Sequence, residues 1–218
     1  MEVSDEARAL GIFVAHGTLR GVKVSRESDV LESAADEVRR LYSLEGLRDH
    51  PVARAYRDFY WRIGIDPTKV RPSGEALVRR ILRGEELPRI NSVVDSGNAA
   101  SAITLVPIGL YDMGRIAGRL ELRLARPGEV FHPIGGGERR LRGGEPVLAD
   151  ENGPIFLYPH RDCERTKIRE ETRDVLVVAA GVPGVERAHV RRALMMALDL
   201  IKRSSGGELV HSGIAPGS

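Results

Sequence analysis

Cysteine is almost absent from this sequence, since Cys163 is the only one in 218 residues. A single cysteine excludes an intramolecular disulfide. It also argues against a closed zinc site, which needs four ligands, because no second pair of Cys and His accompanies His160 and Cys163. We therefore expect neither a metal nor another cofactor.

Long hydrophobic runs are missing as well. The run "VLVVAAGV" at 175–182 is far shorter than the roughly 20 residues that a membrane-spanning helix needs. The acidic start "MEVSDEARAL" lacks the basic-then-apolar pattern of a signal peptide. We expect a cytoplasmic protein with no membrane partner.

The net charge is only +2, which argues against a strongly basic coat for nucleic acid. However, 29 of the 33 basic residues are arginine, whose planar guanidinium suits phosphate and carboxylate. A biased genome composition or a heat-adapted surface would give the same count. The composition permits an RNA partner without requiring one.

Apolar residues recur at helical spacing in four segments. They predict helices that begin at Ser28 or Asp29, at Pro51, and after Ser73 as N-cap, and a last helix over about 185–203. Residues 87–101 predict another helix, but its small and polar residues make it a poor packing helix. The helix after Ser73 is expected to bury an apolar stripe formed by Ala76, Leu77, Ile81 and Leu82.

Strand patterns occupy the remaining parts of the chain. Residues 9–24 predict two short strands around a Gly-Thr turn, and period-two alternation begins near residue 103. A hairpin turns at Asn152-Gly153, and "TRDVLVVAAG" predicts a buried strand. Helices packed on a mixed β-sheet make the fold class α+β. We expect one domain over 1–206 and a disordered tail over 207–218.

Two polar segments could form a site. Asn91, Asp95 and Asn98 share one face of a helix, with Ser101 on the same helix, and small neighbours would let a ligand approach. This face is either exposed to solvent or the wall of a pocket that holds an amino group or a ribose hydroxyl. The segment "HRDCERTK" at 160–167 is either a solvated charged loop or the lining of a ligand cleft.

The stretch "GIDPTKVRPSGEALVRRIL" at 64–82 packs cations and prolines before a helix. Its prolines and Ser73 are explained by turn and cap chemistry. Lys69 and Arg71 are not needed for the turn, so they are candidates for binding a phosphate.

Several segments stand in a characteristic order: "DPTKVRPS", "LPRINSVVDSGN", "GLYDMGRIAG", "EPVLAD" and "RTKIREETRDVLVVAAG". Together they resemble the B3/B4 domain of the phenylalanyl-tRNA synthetase β subunit and, more closely, the free-standing B3/B4 proteins. The resemblance covers about residues 55–181. In the synthetase this domain hydrolyses tyrosine that was wrongly attached to the tRNA for phenylalanine.

The resemblance implies roles for individual residues. Asp112, Asn98 and Thr166 would position water or the ester, and the amino acid or ribose would meet Asn91, Asp95, Ser101, Tyr111, His160 and Arg165. The tRNA phosphates would meet Lys69, Arg71, Arg79, Arg80 and Arg83. An aminoacyl ester is activated, so a positioned water and donors for the oxyanion can suffice.

Two positions depart from the bacterial synthetases. They carry a histidine where this chain has Gly109, and a glutamate in a segment that corresponds to "YPHRDCER", where Glu164 is the available substitute. Our leading hypothesis is a stand-alone protein that hydrolyses the ester of mischarged tRNA. The alternatives are a tRNA-binding or RNA-binding module that lost the chemistry, and a protein that binds a free amino acid.

Overall fold

The structure, a computed structural model, describes residues 1–26 and 28–217. The described residues form seven helices and eleven strands. The helices are α1 (Asp5–Ala9), α2 (Val30–Leu41), α3 (Leu44–Asp49), α4 (Pro51–Arg62), α5 (Ser73–Leu82), α6 (Ser92–Thr104) and α7 (Arg187–Ser205). The strands are β1 (Glu2–Val3), β2 (Phe13–Arg20), β3 (Ile108–Asp112), β4 (Glu121–Leu124), β5 (Val130–Phe131), β6 (Arg139–Arg140), β7 (Pro146–Asp150), β8 (Gly153–Leu157), β9 (Arg161–Asp162), β10 (Asp174–Gly181) and β11 (Glu208–Ala215).

The strands form two main sheets. The first has the order β1-β4-β7-β8-β9, in which only the β1–β4 pair is parallel. The second has the order β11-β2-β10-β3 and is antiparallel throughout, while β5 and β6 form a small separate ladder. Helices packed on a mixed sheet confirm the α+β prediction.

Two buried tyrosines join the helices and the first sheet to the second sheet. The Tyr158 hydroxyl, just beyond β8, lies 2.7 Å from the carbonyl oxygens of both Phe13 and Gly181. The Tyr56 hydroxyl, on α4, donates to the Ala180 carbonyl at 2.6 Å. Both side chains are fully buried, so these bonds supply the partners that a buried hydroxyl requires.

The elements with strong local signals form as predicted. Helices α2, α4 and α7 match the predicted periodic segments, and α4 begins at Pro51. Strands β7 and β8 form the predicted hairpin, but its turn is at Glu151-Asn152 and not at Asn152-Gly153, because Gly153 already pairs with Asp150. Strand β10 is the predicted buried strand. Among the described residues no helix combines the length and the apolar composition needed to cross a membrane.

The prediction of two strands around Gly17 is wrong. Residues 13–20 form one continuous strand, β2, and all eight of its residues pair with β10. A Cβ on Gly17 would lie 2.8 Å from a methyl carbon of Leu198 on α7. This glycine therefore makes room for a helix on the sheet and does not turn the chain.

The prediction of a disordered tail is wrong over residues 208–215. They form β11, which pairs with β2 and completes the edge of the second sheet, with a bulge between Leu209 and His211. The strand is largely exposed, so its sequence contains no apolar run that would predict a strand. Ser218 lies outside the described residues.

The start of α5 also differs from the prediction. Pro72 occupies the cap position, and Ser73 is the first helical residue. The buried face consists of Gly74, Glu75, Val78 and Ile81 instead of the predicted apolar stripe, of which only Ile81 is buried. The helix is therefore rotated so that a carboxylate points inward.

Helix α6 begins at Ser92, later than the sequence predicted, and packs against α2, α5, α7 and β3. Its small residues let these elements approach closely. A Cβ on Gly97 would lie 2.6 Å from a methyl carbon of Leu110 on β3. The segment predicted to be a poor packing helix is thus among the most buried elements of the fold.

Gly74 of α5 gives a direct test of this close packing. A Cβ there would lie 2.7 Å from the Cα and carbonyl carbon of Leu105, which are backbone atoms and cannot rotate away. In an exposed helix Gly→Ala stabilises by about 1 kcal/mol, but we expect Gly74→Ala to lower the free energy of unfolding by roughly 1–3 kcal/mol. Urea denaturation would measure the change in the free energy of unfolding.

The matched variant Ala76→Ser, at an exposed site on the same helix, should be about as stable as wild type. A Gly74→Ala protein that is more stable than wild type would contradict the contact with Leu105.

Candidate functional site

The carboxylate of Asp112 is fully engaged at the end of β3. Its Oδ1 accepts from the Gly114 amide at 2.9 Å, and its Oδ2 accepts from the Thr172 hydroxyl at 2.8 Å. The Asp112 amide donates to the Thr166 carbonyl at 2.8 Å. The Thr166 hydroxyl is buried and lies 3.2 Å from the sulfur of Cys163. Asp112 and Thr166 are therefore adjacent, as the proposed roles require, but both side chains already have partners in the protein.

A second acidic group lies close by. The buried Tyr111 hydroxyl donates to Asp162 Oδ1 at 2.6 Å, linking β3 to β9. Burial raises the pKa of Asp162 to about 6, although the Tyr111 bond favours its ionised form. A Cβ on Gly109 would lie 2.8 Å from Cζ of Tyr111. The Tyr111 ring thus fills the space beside Gly109, where the resemblance places a histidine in bacterial synthetases.

The polar residues of α6 are mostly structural. Asn91 caps the helix, since its Oδ1 accepts from the Val94 amide at 2.9 Å. Asp95 Oδ1 accepts from the Ile90 amide at 2.9 Å, and burial raises the pKa of Asp95. The Ser101 hydroxyl is buried and has no protein partner. Only Asn98 is partly exposed, so it alone of this set remains within reach of a ligand.

Asn98 stands apart from the other two candidate catalytic residues. Within the described part of the chain no hydrogen bond joins its side chain to Asp112 or Thr166. The structure therefore brings together Asp112 and Thr166 but does not connect Asn98 to them.

The loop 160–167 is held by internal pairs. Arg165 binds both oxygens of Asp150, at 2.7 and 2.8 Å, and also donates to the Arg115 carbonyl at 2.8 Å. Glu164 pairs with Lys167. The Arg165 guanidinium, a candidate for binding substrate, thus fastens the loop to the end of β7.

His160 differs from its neighbours in this loop. Burial lowers its pKa to about 4, and its Nδ1 is buried without a hydrogen-bond partner in the protein. The ring is therefore neutral at pH 7, and it forms part of a cleft wall beside Arg139 and Arg142.

Three arginines surround one buried carboxylate at the start of α5. Glu75 is 2% exposed, and its Oε1 lies 2.8 Å from Arg79, 3.6 Å from Arg57 and 3.8 Å from Arg71. We call these four residues the Glu75 cluster. Three guanidinium groups near one carboxylate leave two positive charges in excess, and the groups come from α4 (Arg57), the loop before α5 (Arg71) and α5 itself (Arg79).

The other predicted phosphate ligands are placed differently. Arg80 turns away from the cluster, because it pairs with Glu85 and donates to the Glu86 carbonyl at 2.6 Å. The side chains of Lys69 and Arg83 are exposed and make no ion pair among the described residues. The predicted basic surface is therefore divided into the Glu75 cluster and separate exposed cations.

Sequence reasoning missed four residues that shape these sites. The pairing of Glu75 with Arg71 and Arg79 could have been predicted from the sequence, since each arginine is four positions from the glutamate. The contributions of Arg57, Thr172 and Asp162 depend on contacts between distant segments, which no local pattern specifies. Among residues 1–26 and 28–217, no group of three or more His, Cys, Asp and Glu side chains is arranged to hold a metal ion.

Comparison with known proteins agrees with the resemblance seen in the sequence. The sequence model of the B3/4 domain matches residues 55–206. The phenylalanine–tRNA ligase β subunit of Symbiobacterium thermophilum is 28% identical over 204 residues, which cover 91% of this chain and 22% of that protein. The corresponding subunit of Nocardia farcinica is 34% identical over 117 residues, covering 54% of this chain and 14% of its own length. The chain thus spans less than a quarter of these relatives.

A solved structure supports the fold. An N-terminal fragment of the phenylalanyl-tRNA synthetase β subunit from Pyrococcus horikoshii superposes with a TM-score of 0.51, covering 99% of this chain and 54% of that one. The identity is 14%, so the likeness concerns the fold alone.

The raised pKa of Asp162 predicts a specific pH dependence. A carboxyl group whose pKa is higher in the folded state binds its proton more tightly there, so its contribution to stability is lost as pH rises from about 4 through 6. We expect Asp162→Asn to gain stability relative to wild type over that range and then level off. Urea denaturation at a series of pH values would measure the difference.

The comparison between variant and wild type is needed because two histidines act in the opposite sense. Burial lowers the pKa values of His16 and His160 to about 4, so their contribution to stability is lost as pH falls. As a second variant, Tyr111→Phe removes a donor to the ionised carboxylate and should shift the Asp162 transition to higher pH. A pH-independent difference for Asp162→Asn would contradict the raised pKa.

Proposed function

Since the chain belongs to the B3/4 domain family, we propose that it binds tRNA in the cytoplasm and recognises the acceptor end of an aminoacyl-tRNA. The relatives that it matches are named as subunits of phenylalanine–tRNA ligase, a protein that acts on tRNA. The chain covers a small part of those subunits, so the ligase reaction itself is not part of the proposal.

The observation that carries the proposal is the Glu75 cluster. The buried carboxylate bonds to Arg79 at 2.8 Å and has Arg57 and Arg71 at 3.6 and 3.8 Å, so the three guanidinium groups are gathered in one place before any ligand arrives. Arginine presents its N–H groups as a planar fork that matches phosphate oxygens. The two excess positive charges then attract an RNA backbone, whose binding is driven largely by phosphate contacts.

Exposed cations extend this surface along the chain. Lys69 precedes the cluster on the loop that enters α5, and Arg83 follows at the other end of the helix. The loop itself is fixed by Asp66, whose Oδ1 accepts from the amide and the hydroxyl of Thr68 at 2.9 and 2.7 Å. Lys69 is therefore presented by an ordered turn, which lowers the entropy lost when it meets a phosphate.

Hydrolysis of a mischarged ester is the second candidate function. The observation in its favour is the Tyr111–Asp162 pair beside Gly109. A carboxylate with a pKa near 6 is a suitable general base at neutral pH. Asp162 would take a proton from a water that attacks the ester carbonyl. It would return this proton to the ribose oxygen as the bond between the acyl carbon and that oxygen breaks, releasing the amino acid and the tRNA.

Other features favour binding without hydrolysis. Both oxygens of Asp112 and the hydroxyl of Thr166 have partners within the protein, so neither is free to position a water. The Tyr111 ring fills the space beside Gly109. Asn98 is the one residue of the proposed catalytic set that is open to solvent.

For tRNA binding, we expect an affinity that falls steeply with salt, because counterions are released when cations meet phosphates. Arg71→Ala should weaken binding and reduce the slope of log K against log salt by about one. Arg71 is the most exposed arginine of the cluster, so its removal should leave the fold intact. Fluorescence anisotropy with labelled tRNA over a range of salt concentrations would give both numbers.

The matched control is Arg80→Ala on the same helix. Arg80 is exposed and pairs with Glu85, outside the Glu75 cluster, so its removal should leave the affinity and the slope nearly unchanged. Equal losses in Arg71→Ala and Arg80→Ala would mean a diffuse basic surface. Unchanged binding in Arg71→Ala would remove the cluster from the proposal.

For hydrolysis, the purified protein would be incubated with a panel of labelled aminoacyl-tRNAs, including mischarged ones, against a protein-free control. If Asp162 is the base, one mischarged species should lose its ester selectively, and Asp162→Asn should slow the reaction by roughly 10²-fold or more. Asn98→Ala should also slow it, since Asn98 is the accessible member of its helix.

The controls separate chemistry from folding. Asp112→Ala removes two structural hydrogen bonds, so its rate has to be compared with its thermal unfolding. If Asn98→Ala and Asp112→Ala leave the rate unchanged, their assigned roles are wrong. If no species is hydrolysed while tRNA binding persists, the protein is a binding module.

A further inference from the structure

A cleft of about 450 Å³ lies between the end of α4 and the segment 139–146, which runs from β6 to the start of β7. We call it the Arg142 cleft. Its volume is within the usual range for sites of small molecules. Its charged and polar wall is formed by Arg62, Arg139, Arg142, Glu145 and His160, and its apolar wall includes Leu10, Ile63, Leu124 and Leu157.

The arginines of this cleft have much unused bonding capacity. The Arg142 side chain makes no ion pair or hydrogen bond among the described residues. The Arg139 guanidinium lies 3.9 Å from the Glu145 carboxylate, and Arg62 donates one hydrogen bond to the Leu10 carbonyl at 3.1 Å. Because His160 is neutral at pH 7, three guanidinium groups face one carboxylate, and two positive charges are in excess.

Buried polar atoms at the same cleft also lack partners. Glu145 Oε1 accepts from the Arg142 amide at 3.1 Å, but Glu145 Oε2 is buried with no donor in the protein. The Nδ1 atom of His160, on the same wall, is likewise buried without a partner. A buried polar atom without a partner is costly, so this wall is suited to a ligand that brings donors and acceptors.

We propose that the Arg142 cleft binds a nucleoside monophosphate. The phosphate dianion matches the two excess positive charges, and its oxygens suit the forks of Arg62, Arg139 and Arg142. A ribose hydroxyl can donate to Glu145 Oε2, and the base can lie on the apolar wall. This site is separate from the tRNA surface proposed at the Glu75 cluster and does not depend on it.

Charge distinguishes this ligand from a free amino acid. An α-amino acid has one carboxylate and one ammonium group, and its net charge of zero would leave the arginine excess uncompensated. Inorganic phosphate would satisfy the arginines but would leave the apolar wall and Glu145 Oε2 without contacts. The nucleotide is the ligand that satisfies all three features together.

The proposal is tested by calorimetric titration of the full chain with AMP as the probe, and with adenosine, inorganic phosphate and phenylalanine as separate arms. We expect saturable binding of AMP that is at least ~10-fold tighter than binding of adenosine, inorganic phosphate or phenylalanine, since AMP alone joins a phosphate for the arginines to a base for the apolar wall. Arg142→Ala should weaken AMP binding by a similar factor. Arg142 is exposed and unpaired, so its removal should not affect folding.

Arg20→Ala, at an exposed position on β2, is the matched control and should bind AMP as wild type does. Absence of saturable AMP binding, equal binding of phenylalanine, or unchanged binding in Arg142→Ala would each overturn the proposal. Competition by tRNA would show that an RNA end presents the same chemistry, and lack of competition would assign the cleft to the free nucleotide. Loss of tRNA binding in Arg71→Ala with AMP binding intact would separate the two sites.

Discussion

The burial of α6 is the constraint on which the rest of the structure depends. Its residues contribute to both hydrophobic clusters: Val93 and Ala100 belong to the cluster of the sheets, while Ala99 and Ala102 belong to the cluster of α2 and α5. Helix α6 therefore lies between the two hydrophobic clusters and packs against both. Only small side chains allow elements on several sides to approach this closely, so a larger residue would separate two layers at once.

Hydroxyl pairs fix the orientation of this helix where apolar contacts alone would not. Ser92 and Ser96 bond to Ser205 and Ser204 of α7 at 2.7 and 3.0 Å, and the Ser25 amide donates to the Ser92 hydroxyl at 3.0 Å. Because hydrogen bonds are directional, they set the rotation of α6 about its own axis. That rotation buries Asp95 and leaves Asn98 at the edge, which decides which polar groups a ligand can reach.

The sequence was sufficient wherever one segment determines its own conformation, as in α4 from Pro51 and in the hairpin of β7 and β8. It was insufficient where the meaning of a residue depends on a distant partner. Gly17 is a residue type common in turns, but here it lies inside strand β2. A glycine is needed there because Leu198 packs against its Cα. The polar face of α6 suggested a pocket wall, yet Asp95 serves the helix's own start. Local patterns specify elements, whereas burial of polar groups follows from assembly.

The many arginines illustrate why composition alone does not locate a binding surface. Arg165 donates from two nitrogens to the two carboxylate oxygens of Asp150, and Arg123 does the same to Glu129. The charges of these two arginines are therefore already neutralised inside the fold. An anion is attracted only where guanidinium groups outnumber the carboxylates that hold them. The net charge of only +2 is therefore compatible with strong local fields, because it conceals two places where three arginines lie near a single glutamate, Glu75 in one and Glu145 in the other. In both places the glutamate is what makes the site specific, since it fixes the arginines near Glu75 and offers an acceptor at Glu145.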